Sequence, residues 1–209
     1  MSVVLYDYWR SSAGYRVRIA LNILEIRHSV VPVDLVNGEH RGRANLARNP
    51  QGLVPTLEID GHVLTQSLAI LEYLDETRNA GWLPAKPQDR AKVRALACAI
   101  AMEIHPVCNL SVARFATGNS GENLSMQDWM QQFIPRGLAA FETMLGQQAT
   151  GRFCNGDGVS IADICLVPQI YNAHRWQIDL SPYPQITRIT TSLESIPAIA
   201  AAHPDHHKP

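Results

Sequence analysis

The fold is decided most directly by the stretch Pro55-Thr56-Leu57-Glu58-Ile59-Asp60-Gly61-His62-Val63-Leu64. Two short runs of strand-forming residues flank Asp60-Gly61, and Asp-Gly is a favoured pair for a two-residue hairpin turn. The stretch therefore predicts two antiparallel strands joined by a tight turn. Apolar residues at helical spacing follow the hairpin and predict a helix that begins near Ser67.

The residues before the hairpin predict a strand, a helix and another strand. Val3-Val4-Leu5-Tyr6 is a short apolar run, and Ser29-Val30-Val31-Pro32-Val33-Asp34 is rich in β-branched residues. Pro32 favours an edge position for the second strand, because proline cannot donate to a neighbouring strand. The first 80 residues or so thus predict the order β-α-β, a polar connection, and β-β-α.

The helix between these two strands has a clear apolar periodicity. Four apolar residues at spacings i, i+3, i+4 and i+7 start from Val17 and predict one buried face. This pattern places Arg16, Arg18 and Asn22 away from that face. Either Ser11 or Ser12 can cap the start of the helix.

The composition changes at Gly81-Trp82-Leu83-Pro84-Ala85-Lys86-Pro87, which predicts a linker. Beyond it the periodicity predicts helices only: one from about Val93 with a kink at His105-Pro106, one from about Met126 to Leu145, and one capped by Ser160 and Asp163. We therefore expect an α/β domain over residues 1–81, a linker over 82–87 and an all-helical domain over 88–209.

Composition and charge exclude several classes of function. The 209-residue chain has 18 Lys and Arg against 19 Asp and Glu, so no basic excess indicates a nucleic-acid partner. Its longest wholly apolar run, from Ala95 to Met102, is shorter than the roughly 20 residues that cross a bilayer. Asp7 interrupts the position where a signal peptide needs an apolar run. These observations predict a cytoplasmic protein with no membrane partner.

The cysteine and histidine patterns predict no metal site. The four cysteines form no CxxC pair, so we expect buried free thiols, and we expect the tail from His203 to Lys208 to be a solvated end with no partner. Motifs for phosphate loops, nucleophile elbows and zinc proteases do not occur in the sequence.

One polar segment remains, Arg10-Ser11-Ser12-Ala13-Gly14-Tyr15-Arg16, at the start of the first helix. A helix N-terminus presents unpaired N–H groups and partial positive charge, which favour an anion or a thiolate. A hydroxyl at this position can donate a hydrogen bond to a thiolate and lower the pKa of that thiol. The simpler interpretation of Ser11 and Ser12 is a capping pair.

The context of this segment resembles a known family. The segment from Tyr8 to Leu21 is similar to the signature of the zeta class of glutathione transferases, the family of maleylacetoacetate isomerases. The resemblance extends over almost the whole chain through four further stretches: Asn49 to Leu57, Gln66 to Leu74, His105 to Ser111 and Ile161 to Gln169. It implies a thioredoxin-like N-terminal domain, a helical C-terminal domain and a homodimer.

The resemblance also implies a glutathione site. Ser11 would activate the thiol, with Ser12 as the alternative. Val54-Pro55 would be a cis-proline element whose backbone pairs with glutathione, and Gln66 with Ser67 would hold its γ-glutamyl end. Read without the family, Ser67 is a helix cap and His105 is a kink residue. The implied glutathione contacts are Ser11, Ser12, Ala13, Gly14, Tyr15, Arg16, His40, Val54, Pro55, Gln66, Ser67, His105, Asn109, Leu110 and Ser111.

The implied reaction is a glutathione-dependent cis–trans isomerisation of maleylacetoacetate to fumarylacetoacetate in aromatic amino-acid catabolism. Arg10 and Arg175 are the candidates for holding the substrate's carboxylates, because arginine binds carboxylates in a bidentate manner. Either arginine could instead form a surface ion pair, and Asp179 is the candidate partner of Arg175.

Ala13 departs from the family pattern, which usually has cysteine at this position. We expect activity to be retained, because glutathione itself carries the attacking sulfur. Three alternatives stay open: a maleylpyruvate isomerase, a general transferase acting on small α-halo acids, and a binding protein of this fold without catalysis.

Overall fold

The computed structural model describes residues 2–121, 123–147 and 151–209, and the chain divides into two compact units. One unit comprises Met1–Gly81 with Ser195–Pro209, and the other comprises Trp82–Glu194. The expected domain limits differ from this division in two respects. Residues 82–87 belong to the second unit, where Trp82 is buried and its carbonyl accepts from the Ile161 amide (3.3 Å). The last 15 residues, expected in the helical domain, belong to the first unit.

The first unit contains a four-stranded mixed sheet. Its elements are β1 (Val4–Asp7), α1 (Ser12–Ile23), β2 (Ser29–Pro32), a 3-10 turn (Glu39–Arg41), α2 (Arg43–Arg48), β3 (Thr56–Ile59), β4 (His62–Thr65) and α3 (Ser67–Arg78). The strand order is β2-β1-β3-β4, with β1 parallel to β2 and the other pairs antiparallel. The predicted β-α-β and β-β-α order is confirmed, and β2 lies at an edge, as Pro32 indicates. The predicted polar connection between β2 and β3 contains the short helix α2.

The predicted hairpin is confirmed at its turn. Asp60 and Gly61 both have positive φ, 54° and 81°, which is the backbone conformation of a type I′ turn. The turn places Thr56 opposite Thr65 and Ile59 opposite His62.

Helix α1 is buried more completely than its periodicity predicts. Every residue from Gly14 to Leu21 is buried, including Arg16 and Arg18, which are 2% and 1% exposed. The expectation that both arginines lie off the buried face is therefore wrong. The reason is that α1 packs against α3 and also against the C-terminal helix Pro197–Ala201. No side of the segment from Gly14 to Leu21 therefore faces solvent.

The C-terminal segment packs against α1 and forms hydrogen bonds with it, contrary to the expectation of a solvated tail. Helix α10 (Pro197–Ala201) and a 3-10 turn (Pro204–His206) follow Ser195. The side-chain amide of Asn22 donates to the carbonyl of Ala198 (3.1 Å), and Nε of Arg18 donates to the carbonyl of Ala202 (3.2 Å). The His203 ring lies edge-on to Tyr15. These contacts explain why the tail belongs to the first unit.

The second unit is helical, as predicted. Its elements are α4 (Pro87–Cys98), a π-helical segment (Ala99–Ile104), α5 (His105–Val107), α6 (Leu110–Gly118), α7 (Met126–Gly146), α8 (Ile161–Arg175) and α9 (Pro184–Glu194). Between residues 82 and 194, leaving aside 122 and 148–150, the structure contains one isolated β-bridge, Phe153 with Gly156, and no strand.

The predicted irregularity before Pro106 takes the form of the π-helical segment. Proline has no N–H to donate and its ring crowds the preceding turn, so the chain widens there instead of continuing as a regular α-helix. Helix α7 packs closely on this segment. A Cβ on Gly137 would lie 2.3 Å from Cγ1 of Ile104, so this contact requires glycine.

The predicted capping box at α8 is present. Asp163 is fully buried and accepts from the Ser160 amide (2.8 Å) and from the Cys154 amide (2.9 Å). Burial raises the pKa of Asp163 above its usual value. All four cysteines are free, and Cys108, Cys154 and Cys165 are buried whereas Cys98 is half-buried.

The helical stretch Pro87–Gly118 is apolar over much of its length. It contains an 18-residue window with a mean hydropathy of 1.5, of which 28% is buried. By length and composition alone this stretch could cross a membrane, which the longest wholly apolar run did not indicate.

Candidate active site at one edge of the sheet

Strand register brings three predicted site segments of the first unit together at one end of the neighbouring strands β1, β3 and β4. Tyr6 pairs with Thr56, and Thr56 pairs with Thr65. The end of β1, the start of β3 and the end of β4 therefore lie side by side. Ser11 follows β1, Val54-Pro55 precedes β3, and Gln66-Ser67 follows β4. The tertiary fold thus assembles residues that are up to 56 positions apart in the sequence.

Ser11 is the N-cap of α1, and its hydroxyl oxygen accepts from the Gly14 amide (3.1 Å). A hydroxyl carries one proton besides its acceptor lone pairs, so the capping bond leaves that proton for donation. The interpretation as a cap and the interpretation as a thiol-activating donor are therefore compatible. Ser12 is the first helical residue, and both serines are half-exposed.

A buried ion pair supports the backbone beneath Ser11. Asp7, at the end of β1, pairs with Arg18, and Arg18 also donates to the carbonyl of Trp9 (2.9 Å). Gly14 lies directly over Asp7, because a Cβ at this position would come within 1.7 Å of the Asp7 carboxylate. Burial outweighs the attraction of Arg18 and raises the pKa of Asp7 to about 6.

The Val54-Pro55 peptide bond is cis, as the resemblance implies. The loop before it is held by two buried asparagines that the sequence analysis did not single out. Asn49 donates to the carbonyl of Leu53 (3.1 Å) and accepts from the Gln51 amide (3.1 Å). Asn45 donates to the carbonyl of His40 (2.9 Å). In the described part of the chain, the backbone of Val54 makes no hydrogen bond, so it is available to a ligand.

Gln66 and Ser67 begin α3. Gln66 is the N-cap residue, with a positive φ of 65°, whereas Ser67 is the first helical residue and not the cap itself. Arg16 donates to the Ser67 hydroxyl (3.1 Å), which links α1 to α3. The side-chain amide of Gln66 donates to that of Gln51 (2.7 Å). No local sequence pattern predicts this role of Gln51, because only the tertiary fold places it beside Gln66.

His40 precedes this loop and is half-buried. Burial, with the nearby charge of Arg41, lowers the pKa of His40, which favours the neutral ring. Its Nδ1 is buried and has no hydrogen-bond partner among residues 2–121, 123–147 and 151–209.

Arg10 lies next to Ser11 and is held by aromatic residues. Its guanidinium donates to the Tyr8 hydroxyl (3.0 Å), and its Cζ lies 4.8 Å from the ring centre of Trp9. No carboxylate in the described residues pairs with Arg10, so its charge is not compensated by an ion pair.

Other predicted contacts have structural roles. Tyr15 is 2% exposed and packs against His203, and Gly14 is buried against Asp7. In the second unit, Asn109 is the N-cap of α6, and its side-chain oxygen accepts from the amide (3.0 Å) and hydroxyl (2.9 Å) of Ser111. His105 and Leu110 are half-buried in the same helical stretch.

Arg175 is the last residue of α8 and is exposed. It donates to the side chain of Asn172 at 3.4 Å, and its Cζ lies 5.9 Å from the Trp176 ring. Asp179, the candidate partner of Arg175, lies beyond the end of α8, so the two residues do not share a helix face. The Asp179 carboxylate instead accepts from the amide (2.9 Å) and hydroxyl of Ser181.

The described residues contain no group of three or more His, Cys, Asp or Glu side chains that could hold a metal ion. The site therefore offers hydroxyls, amides, helix N-termini and an arginine. This set suits an anionic organic ligand.

Comparison with known proteins identifies the family. The N-terminal domain of glutathione S-transferases matches residues 1–76, and the C-terminal domain of glutathione S-transferases matches residues 108–202. The maleylacetoacetate isomerase of Rhizobium meliloti is 58% identical over 208 residues, which cover 99% of this chain and 98% of the relative. The chain belongs to the zeta class of glutathione S-transferases.

Other members of the class are similar to this chain in sequence or in structure over nearly their full length. The maleylacetoacetate isomerase of Mus musculus is 44% identical over 204 residues, covering 96% of this chain and 92% of the relative. A solved maleylacetoacetate isomerase from Methylobacterium extorquens, with bound malonate and glutathione, has a TM-score of 0.92, 42% identity and coverage of 99% and 98%. A zeta-class maleylpyruvate isomerase has a TM-score of 0.90, 36% identity and 96% coverage of both chains. The predicted thioredoxin-like and helical domains of this class are thereby confirmed.

Proposed function

We propose that this zeta-class chain catalyses the glutathione-dependent cis–trans isomerisation of maleylacetoacetate to fumarylacetoacetate. The observation that carries the proposal is the arrangement at one end of strands β1, β3 and β4. There the Ser11 hydroxyl, the Val54 backbone, which has no hydrogen bond within the described residues, and the N-terminus of α3 lie side by side. The uncompensated Arg10 beside Ser11 adds a site for a carboxylate. Relatives that bear the name of this enzyme, at up to 58% identity among those compared, support the same reaction.

The residues of the first unit fit glutathione. The Val54 backbone can pair with the cysteinyl main chain, and the free amides at the N-terminus of α3 can bind the γ-glutamyl carboxylate. Gln66, held by Gln51, adds an amide beside that carboxylate, and the unpartnered Nδ1 of His40 adds a further polar contact. His105, Asn109, Leu110 and Ser111 of the second unit remain proposed contacts from the family pattern.

Bound glutathione supplies the thiolate that adds reversibly to the cis double bond, so that the bond between the two carbons can rotate. The Ser11 hydroxyl donates a hydrogen bond to the thiolate sulfur and keeps its proton, and the N-terminus of α1 adds partial positive charge. Both effects favour the thiolate over the thiol at neutral pH. Ala13 does not remove either effect, because neither needs a side chain at that position.

Arg10 is the proposed anchor for one carboxylate of the substrate, because its charge has no acidic partner in the described residues. Positive charge beside Ser11 also stabilises the negative charge that develops on the substrate during addition. Arg175 is the proposed anchor for the other carboxylate. It is exposed at the end of α8, where its guanidinium donates to the side chain of Asn172 and lies near the Trp176 ring.

The test is steady-state isomerisation of maleylacetoacetate and maleylpyruvate, each with and without glutathione. We expect glutathione-dependent turnover with a higher kcat/KM for maleylacetoacetate. A preference for maleylpyruvate would instead favour the reaction of the solved maleylpyruvate isomerase to which this chain is similar. Absence of turnover on both, with glutathione bound, would favour the binding-protein alternative.

We further propose that the chain is a cytoplasmic homodimer acting in aromatic amino-acid degradation. The apolar stretch Pro87–Gly118 supports a dimer, because it leaves large apolar side chains such as Met102 (61% exposed) and Phe115 (75% exposed) uncovered. We assign this exposure to a subunit contact and not to a bilayer. Light scattering should give about twice the chain mass of 23.1 kDa, and a mass near 23.1 kDa at micromolar concentration would contradict the dimer.

A further inference from the structure

The guanidinium of Arg10 is held by neutral groups. It donates to the hydroxyl of Tyr8 at 3.0 Å and lies over the rings of Trp9 (4.8 Å) and Tyr8 (5.8 Å from Cζ to the ring centre). Tyr8 itself is 8% exposed and its ring is therefore fixed by packing. A side chain with many rotamers is thus held in one place, with no counter-ion among the described residues.

Because the Tyr8 hydroxyl and the two rings are neutral, Arg10 keeps its positive charge and most of its N–H donors for a ligand. A carboxylate partner would occupy two of the guanidinium donors and cancel the charge. A phenol oxygen accepts one N–H and leaves both the net charge and the remaining donors available. The ring faces of Trp9 and Tyr8 stabilise the cation further without occupying its N–H groups.

One tight turn links Tyr8, which holds Arg10, to Ser11. The Ser11 amide donates to the Tyr8 carbonyl (2.8 Å), so residues 8–11 form a closed turn. The Tyr8 amide is anchored in turn on the buried carboxylate of Asp7 (2.8 Å). The position of Arg10 relative to Ser11 therefore depends on Tyr8 at both its backbone and its side chain.

We propose that Tyr8 is a positioning residue for carboxylate recognition: its hydroxyl holds the Arg10 guanidinium, still charged and open, beside Ser11. This inference rests on the proposed role of Arg10 as a substrate anchor. In this role a neutral side chain determines the preference for anionic over neutral substrates by acting through Arg10.

The test compares Tyr8→Phe with the unmodified protein on a diacid substrate and on the dimethyl ester of that substrate. KM for the diacid should rise about 3- to 10-fold, the ratio that corresponds to one hydrogen bond, with kcat nearly unchanged. KM for the diester and the Kd for glutathione should not change. Equal losses on the diacid and the diester would overturn the proposal.

Tyr73→Phe is the matched control. The Tyr73 hydroxyl donates to Asp60 (2.8 Å) in the hairpin turn, at the edge of the sheet opposite the site. This variant also loses a hydrogen bond between a tyrosine hydroxyl and a charged side chain, although here the hydroxyl is the donor, and it should leave both KM values unchanged.

A double-mutant cycle separates positioning from a structural effect. In an Arg10→Ala background, Tyr8→Phe should cause no further rise in KM, because the group through which Tyr8 acts is absent. The same rise in both backgrounds would overturn the proposal.

A binding measurement keeps this inference distinct from the proposed function. Malonate, which is bound with glutathione in the Methylobacterium extorquens structure, serves as the dicarboxylate probe. Calorimetry with glutathione present should show weaker malonate binding for Tyr8→Phe. If maleylacetoacetate is not turned over but malonate binding depends on Tyr8, the proposed reaction fails and the positioning role stands. If malonate binding is independent of Tyr8, the positioning role fails whatever the reaction.

Discussion

Asp7 and Arg18 form a buried ion pair that joins the end of β1, helix α1 and the C-terminal segment. Their side chains are 2% and 1% exposed. Arg18 also donates to the carbonyls of Trp9 and Ala202, so a single guanidinium connects the site loop to the tail. The Asp7 carboxylate lies directly beneath Gly14, whose amide donates to the Ser11 hydroxyl. The pair therefore links the stability of the first unit to the geometry of the site.

Replacing Arg18 should destabilise the first unit strongly. Arg18→Met leaves the Asp7 carboxylate buried without its cation and removes two bonds to carbonyls, which should cost about 3–5 kcal/mol in the free energy of unfolding. Urea denaturation measures this loss. Arg78→Met is the control, because the Arg78–Asp60 pair is partly exposed and should cost less than about 1 kcal/mol. A similar loss for the two variants would contradict the role of burial.

The ionisation of Asp7 should make stability depend on pH. Its pKa is raised from 3.8 to about 6 by burial, so the folded state binds the proton more tightly than the unfolded state does. The stability contributed by this group is therefore fully present below pH 3.8 and is lost as the pH rises through about 6.

The comparison with Asp7→Asn isolates this effect, because other titrating groups, such as the buried Asp163, contribute equally to both proteins. The unmodified protein should lose stability relative to Asp7→Asn between about pH 4 and pH 6. A relative gain over that interval, measured by urea denaturation at each pH, would show that Arg18 lowers the pKa instead.

Removing the Ser11 hydroxyl should impair thiol activation. Ser11→Ala removes a donor to the sulfur, so the pKa of the bound glutathione thiol should rise and kcat should fall about 10²-fold. Ultraviolet titration of the bound thiolate measures the pKa directly. Ser12→Ala is the matched variant, and the reverse pattern, an inactive Ser12→Ala with an unchanged Ser11→Ala, would transfer the role to Ser12.

Asn49 should control glutathione affinity without contacting the ligand's sulfur. Asn49→Ala leaves the Gln51 amide without its partner and removes the closer of the two donors to the Leu53 carbonyl, so the loop that presents Val54 and Gln51 should loosen. We expect the Kd for glutathione to rise about 10-fold, on the scale of 1–2 lost buried hydrogen bonds. Calorimetry checks this, with Asn37→Ala, at an exposed asparagine bonded to Asp34, as the control. Equal affinities in the two variants would contradict the prediction.

Arg175 should affect charged substrates alone. Arg175→Lys keeps the charge but loses the bidentate geometry, so KM for a dicarboxylate substrate should rise while glutathione affinity stays unchanged. A small neutral electrophile should react at nearly the original rate. Equal losses on charged and neutral substrates would indicate a structural role and leave Arg10 as the named anchor.

Local sequence signals predicted most of the fold. The Asp60-Gly61 turn, the edge position of β2 and the capping box of α8 depend on residues close together in the sequence, and their backbone preferences act locally. The roles of Ser11 and of the Val54-Pro55 pair were implied only by the resemblance to the zeta class, because considered alone Ser11 is a helix cap.

The contacts between distant segments were decided only by the tertiary structure. The burial of Arg16 and Arg18, the support of Gln66 by Gln51 and the hold of Tyr8 on Arg10 depend on which surfaces the packed elements cover. The tail was misjudged for this reason, since its polar composition predicts exposure when the segment is considered alone. Periodicity determines which residues share a face of a helix, but the number of faces that become buried depends on every neighbour that packs against it. For α1 those neighbours include a segment 184 residues away, Ala202 opposite Arg18, and no local pattern encodes that contact.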